Sequence, residues 1–158
     1  MQTEPQQQHQ WLDKFIGTWT SESEYSMEPN GEPSKSTGTE VVRSIGGVWI
    51  VAEGESDMPD GGAGKTMMTL GFDPQLDRFV GTFIGSMMTH LWVYNGSLDL
   101  TQKVLTLDTE GPNFSQTAMA KYQDIIEFVS DDHRVMKSQI LMDDGTWNYF
   151  MTAHYRRQ

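Results

Sequence analysis

Beyond residue 17 the chain breaks into short segments in which apolar and polar residues alternate, or β-branched and aromatic residues cluster, each bounded by Gly, Pro, Asn or Asp. These predict strands over 18–27, 36–46, 48–57, 65–73, 78–87, 90–99, 103–110, 117–130, 133–143 and 146–156. In the first of them Thr18, Thr20, Glu22 and Glu24 share one face, with Trp19 and Tyr25 on the other, so Trp19 is expected to point inward. Upstream, Trp11, Leu12, Phe15 and Ile16 fall close to helical spacing and predict a short helix over Gln10–Ile16, ended by Gly17. Residues 1–8 read as a disordered tail, which leaves 9–158 as a single domain.

The connections are short: Pro29-Asn30-Gly31, Gly46-Gly47, Pro59-Asp60-Gly61-Gly62, Asp73-Pro74, Gly111-Pro112-Asn113 and Asp143-Asp144-Gly145. The last of these, between Leu141-Met142 and Thr146-Trp147, is a strong hairpin signal. Ten sequential strands joined by tight turns make an up-and-down meander. Closure into an antiparallel barrel removes its exposed edges. The expected fold is therefore an all-β, closed barrel of about ten strands with a short N-terminal helix. A two-sheet sandwich is the competing architecture, but it needs longer crossing connections.

Strand parity also nominates candidate site residues. Arg43 shares a face with Val41 and Ile45, Glu53 with Trp49 and Val51, and His90 with Trp92 and Tyr94; Tyr122 shares one with Ala120, Ile126 and Phe128. If these faces point inward, Arg43, Trp49, Glu53, His90, Trp92 and Tyr122 line an apolar cavity with a few placed polar groups, the composition of a small-molecule pocket. In that arrangement Arg43, His90 and Tyr122 would hydrogen-bond or neutralise a carboxylate head group. The alternative is that Arg43 and Glu53 form a surface cross-strand pair around the Gly46-Gly47 turn. Other strands are apolar on both faces, as with Phe79 and Phe83 against Val80 and Ile84, so an outer apolar face is expected to be covered, by a second copy or by the helix.

Composition removes several classes of function. The 158 residues suffice for one domain with a substantial core, and the absence of cysteine excludes disulfides, thiolate zinc sites and a cysteine nucleophile. The net charge of −11, with Arg156-Arg157 as the sole basic pair, argues against nucleic acid. No apolar run reaches membrane-spanning length and no signal-peptide pattern opens the chain, so a soluble cytoplasmic protein with no membrane partner is expected. Gly61–Thr66 reads GGAGKT but has Pro59 where a phosphate loop needs glycine, and it continues as a strand. His9, His90, His133 and His154 have no metal-ligand spacing, and no metal is expected. Eleven methionines suit adaptable packing or varied apolar ligands.

Phe15-Ile16-Gly17-Thr18-Trp19 resembles the G-x-W opening of lipocalin-type barrels, a resemblance that places a basic residue of the last strand, Arg156 or Arg157, beside Trp19. Over about Leu12 to Arg157 the chain resembles the mainly bacterial family called domain of unknown function 1579. The resemblance rests on Gly17-Thr18-Trp19, Glu40 with Arg43, Gly46-Gly47-Val48-Trp49 leading to Glu53, Leu70-Gly71-Phe72-Asp73, Asp131-Asp132-His133-Arg134 and Tyr155-Arg156-Arg157. It implies a calycin-like barrel akin to fatty-acid-binding and nitrobindin-type barrels, and no established activity. Nitrobindin-like relatives would add haem, held by a late-strand histidine for which His154 is the candidate; otherwise no cofactor is expected. The leading expectation is a module that binds a small hydrophobic or amphipathic molecule. An acid–base enzyme using His90 with Glu53, or a dimeric interaction protein, are the alternatives.

Overall fold

The computed structural model describes residues 3–26, 31–58 and 61–158. A helix α1 (Gln7–Leu12) runs into a 3-10 turn (Asp13–Phe15). Ten strands follow: β1 (Gly17–Tyr25), β2 (Ser34–Ile45), β3 (Trp49–Asp57), β4 (Ala63–Asp73), β5 (Arg78–Gly85), β6 (Trp92–Leu98), β7 (Val104–Pro112), β8 (Met119–Ser130), β9 (His133–Leu141) and β10 (Trp147–Arg157). Each strand pairs antiparallel with its sequence neighbours, and β1 pairs with β10, so the sheet closes on itself. This is the ten-strand meander the turn spacing predicted. The GGAGKT segment runs into β4, not into a helix. No helix among the described residues is long and apolar enough to cross a membrane.

The helix begins earlier than its periodicity suggests. Gln7 and Gln8, expected in a tail, are helical, and His9 is buried with its Nε2 2.9 Å from the Phe72 carbonyl oxygen. The reason is a tertiary contact: α1 is a plug across one end of the barrel. Its Trp11 and the following Phe15 pack edge-to-face on Phe128, with ring centroids 5.6 and 4.9 Å apart, and Trp11 also meets Phe79 at 5.9 Å. Leu12 and Phe15 are buried with it, and Trp19, Leu70, Phe79, Leu105, Leu107 and Ile126 are sealed in the wall.

The seam between first and last strands is fixed by Arg157. Its guanidinium donates to the carbonyls of Ile16, Lys14 and Asp131 at 2.6, 2.9 and 3.0 Å and lies 4.2 Å over the Trp19 ring. Gly17, at φ +137°, lets it pass: a Cβ there would collide with the guanidinium, and the backbone angle itself disfavours a side chain. The lipocalin resemblance placed a basic residue beside Trp19, and Arg157 is that residue.

Candidate functional site

The inner wall changes character along the barrel axis. Near the plug its side chains are sealed. Toward the other end Ser21, Ser36, Ser56, Thr66, Met68, Phe83, Trp92, Asp124, Met136 and Tyr155 are only partly buried, although the alternation of the strands turns them inward. These inward-facing groups keep accessible surface that the plug-end residues lack. On β1 to β4 they are small hydroxyl residues and Met68. On β5 to β10 they are aromatics, Met136 and Asp124.

Two polar clusters cross this interior. The first is Arg134 on β9, whose Nη2 pairs with Glu40 on β2, a residue 94 positions earlier. The guanidinium is clamped by rings, its Cζ lying 4.0 Å from the Tyr155 centroid, 4.8 Å from Trp19 and 5.1 Å from Phe15. Burial pulls the Arg134 pKa down to about 10, which leaves it charged at neutral pH. Its Nε has no hydrogen-bond partner among the described residues. A buried arginine on an apolar floor requires a carboxylate, and Glu40 supplies it.

The second cluster surrounds Asp124 on β8. The Tyr94 hydroxyl donates to Asp124 Oδ2 at 2.5 Å and the Ser138 hydroxyl to Oδ1 at 2.6 Å. Burial pushes the Asp124 carboxyl above its ordinary value, and the two hydroxyl donors oppose that shift without cancelling it. Burial and the neighbouring Asp124 raise the Tyr94 phenol well above its usual value, so it stays protonated and donating. Asp124 points inward and is only partly buried. Thr109, opposite Tyr122 on the adjoining strand, contributes a buried hydroxyl with no partner among the described residues.

The end opposite the plug carries a chain of packed aromatics. Trp92 packs edge-on to Tyr122 at 4.9 Å, Tyr122 meets Phe150 at 5.9 Å, and Phe150 meets Phe114 at 5.1 Å. Gly111 makes room for the Trp92 indole, since a Cβ there would collide with its six-membered ring. The indole N–H donates to Met88 Sδ at 2.9 Å, and the Tyr122 hydroxyl donates to the Pro112 carbonyl at 2.5 Å. His90 lies in the β5–β6 connection, 4.7 Å from the Trp92 ring, with Nε2 2.9 Å from the Glu110 carbonyl oxygen.

Of the six residues nominated from sequence, His90, Trp92 and Tyr122 therefore come together at this mouth. Arg43, Trp49 and Glu53 do not. Inward positions on β2 and β3 are Glu40, Val42, Ile50 and Ala52, which reverses the expected faces. Arg43 Nη2 lies 3.4 Å from Glu53 Oε1 on the outer wall, with both side chains more than half exposed, the surface pair that was the alternative reading. The error has a physical cause. Parity fixes which residues share a face but not which face is inside, and the outer face here carries Val41, Ile45 and Trp49, while part of the inner one is serine and glycine.

The enzyme reading loses its pair, since Glu53 is spent on Arg43 outside while His90 engages Glu110 at the rim. His154 also faces outward, its Nδ1 3.0 Å from Nε2 of His133, so the late-strand histidine does not fit a haem inside the barrel. No group of three or more histidine and carboxylate ligands gathers among the described residues. Two open grooves are present, one of about 340 Å³ beside α1 and one of about 450 Å³ along β1–β4 and β10, lined by outward Glu22, Thr37 and Glu55 together with inward Ser21 and Ser56. Neither contains the orphan hydroxyl or the unpaired carboxyl found inside.

The model of the family described as protein of unknown function (DUF1579) matches residues 4–157. The chain belongs to this family. No curated protein matches it. Among solved structures, this DUF1579 chain is similar to Rv2717c from M. tuberculosis, at 12% identity, over 98% of this chain and 99% of that one, with a TM-score of 0.66. It is also similar to a de novo designed fluorescence-activating β-barrel, at 14% identity over 94% and 98% of the two chains and TM-score 0.52. The EF1p2_mFAP2b barrel bound to DFHBI matches at 13% identity over 96% and 99%, with TM-score 0.52. At these identities the DUF1579 chain shares a fold with them and nothing finer.

Proposed function

We propose that this DUF1579 chain binds a small amphipathic molecule inside its barrel, admitted at the end opposite the helical plug. The observation that carries this reading is the gradient along the inner wall, from sealed aromatics under α1 to half-buried hydroxyls, methionines and an unpaired carboxyl behind the Trp92–Tyr122–Phe150 rim. Apolar walls with a few convergent polar groups are what such ligands need. That EF1p2_mFAP2b, a barrel of similar fold, is bound to DFHBI supports a small-molecule ligand. Native mass spectrometry of protein purified from its own host is expected to show a co-purifying small molecule. A protein that is empty there, and that also fails to bind hydrophobic dyes, contradicts the proposal.

A second copy of the chain is the partner proposed for the outer wall, where Val41, Ile45, Trp49, Ile84 and Val93 are 43–54% exposed across β2–β6. Sedimentation at high concentration is expected to show a dimer. A strict monomer removes this part of the reading.

A further inference from the structure

The polar end of the interior is charged in a specific sense. Arg134, the cation turned inward on β9, is already matched by Glu40. Asp124 is matched by nothing. Each of its oxygens accepts one hydroxyl hydrogen bond, from Ser138 and Tyr94, and each has lone-pair capacity left over. Around it stand Tyr94 on β6, Leu107 on β7, Ser138 on β9 and, further off, Tyr155 on β10. No ammonium or guanidinium among the described residues pairs with it.

Two hydroxyls donating to one carboxyl suit its ionised form, since ionised oxygens only accept. A buried carboxylate with donors but no countercharge is costly unless a cation completes it. Asp124 points inward and keeps part of its surface accessible. Between Asp124 and the barrel end opposite the plug stand the Tyr122 and Trp92 rings, apolar surfaces against which a flat ring system packs.

Resting on the interior-binding reading above, we infer that the ligand is an aromatic or otherwise apolar amine, its ammonium seated on Asp124 and its ring against Trp92 and Tyr122. This reverses the polarity expected from sequence, where Arg43 was to neutralise a carboxylate head group. Arg43 stands outside, and the inward cation is already taken.

The test uses three probes with one ring and different heads: 1-naphthylmethylamine, 1-naphthylmethanol and 1-naphthoic acid, titrated calorimetrically into the whole protein at neutral pH. The amine is expected to bind about 10- to 100-fold more tightly than the alcohol, the range a charge-assisted hydrogen bond contributes, and the acid more weakly than either. In Asp124→Asn the amine's advantage over the alcohol should vanish. Ser138→Ala serves as a second variant that keeps the charge and should retain the preference. An amine that binds no better than the alcohol, or a preference that survives Asp124→Asn, overturns the inference and leaves the interior site standing. Failure of all three probes to bind overturns the interior site, and the inference with it.

Discussion

Replacing Glu40 by Gln asks whether the interior is organised around its one matched ion pair. The substitution keeps volume and one acceptor and removes the charge that balances Arg134. With side-chain exposures of 4% for Arg134 and 12% for Glu40, water cannot take over the role. Removing one partner of a buried pair costs about 3–5 kcal/mol. The rings of Trp19, Phe15 and Tyr155 keep part of the guanidinium's stabilisation, about 0.5–2 kcal/mol, which sets the expectation near the lower end, about 3 kcal/mol. At about 2–4 °C per kcal/mol for a chain of this size, the unfolding midpoint should fall by about 6–12 °C. Thermal melts followed by far-ultraviolet circular dichroism, with reversible urea unfolding beside them, measure both quantities. A Glu40→Gln, Arg134→Met double variant should regain much of the loss, because both charges then leave together. A single variant within about 0.5 kcal/mol of the parent, at the level of an ordinary surface change, or a double variant less stable than the two single losses added, would refute the argument.

Asp124 carries a pH signature of definite sign. Its folded pKa is raised by burial, so it stabilises the fold while protonated and that contribution is lost as pH rises from the unfolded carboxyl value through the folded one. Asp124→Asn is therefore expected to match the parent in acid and to exceed it in stability at neutral and higher pH; urea midpoints that keep a constant gap across that range contradict this. Trp92→Ala should weaken 1-naphthylmethanol binding about tenfold, roughly the worth of one aromatic contact, with the unfolding midpoint held by the plug at the far end; calorimetric affinity equal to the parent's would remove Trp92 from the mouth.

The sequence made the architecture plain because turn chemistry and period-two alternation are local. The Asp143-Asp144-Gly145 turn and the inward Trp19 follow from their immediate neighbours. The interior was harder to see, because its chemistry is assembled across the barrel. Glu40 has no local reason to face inward; Arg134, 94 residues away, gives it one. Tyr94 and Asp124 meet across 30 residues and Ser138 joins from a third strand. A signal for Asp124 was present all the same: it stands alone as an acid in the inward series Ala120, Tyr122, Ile126 and Phe128. The reversed faces of Arg43, Trp49 and Glu53 show the limit of parity in a wall that is apolar outside and partly polar within.

The central claim, that a small molecule enters the barrel, is tested most directly by the methyl signals of the methionines. Adjacent residues on β4, Met68 and Met67, face inward and outward respectively, and Met136 on β9 faces inward. With 13C-methyl methionine and added 1-naphthylmethanol, the ring current of a bound naphthalene should displace the Met68 and Met136 resonances in nuclear magnetic resonance spectra and leave Met67 in place. Displacement confined to Met67, or none at saturating probe, would contradict the account.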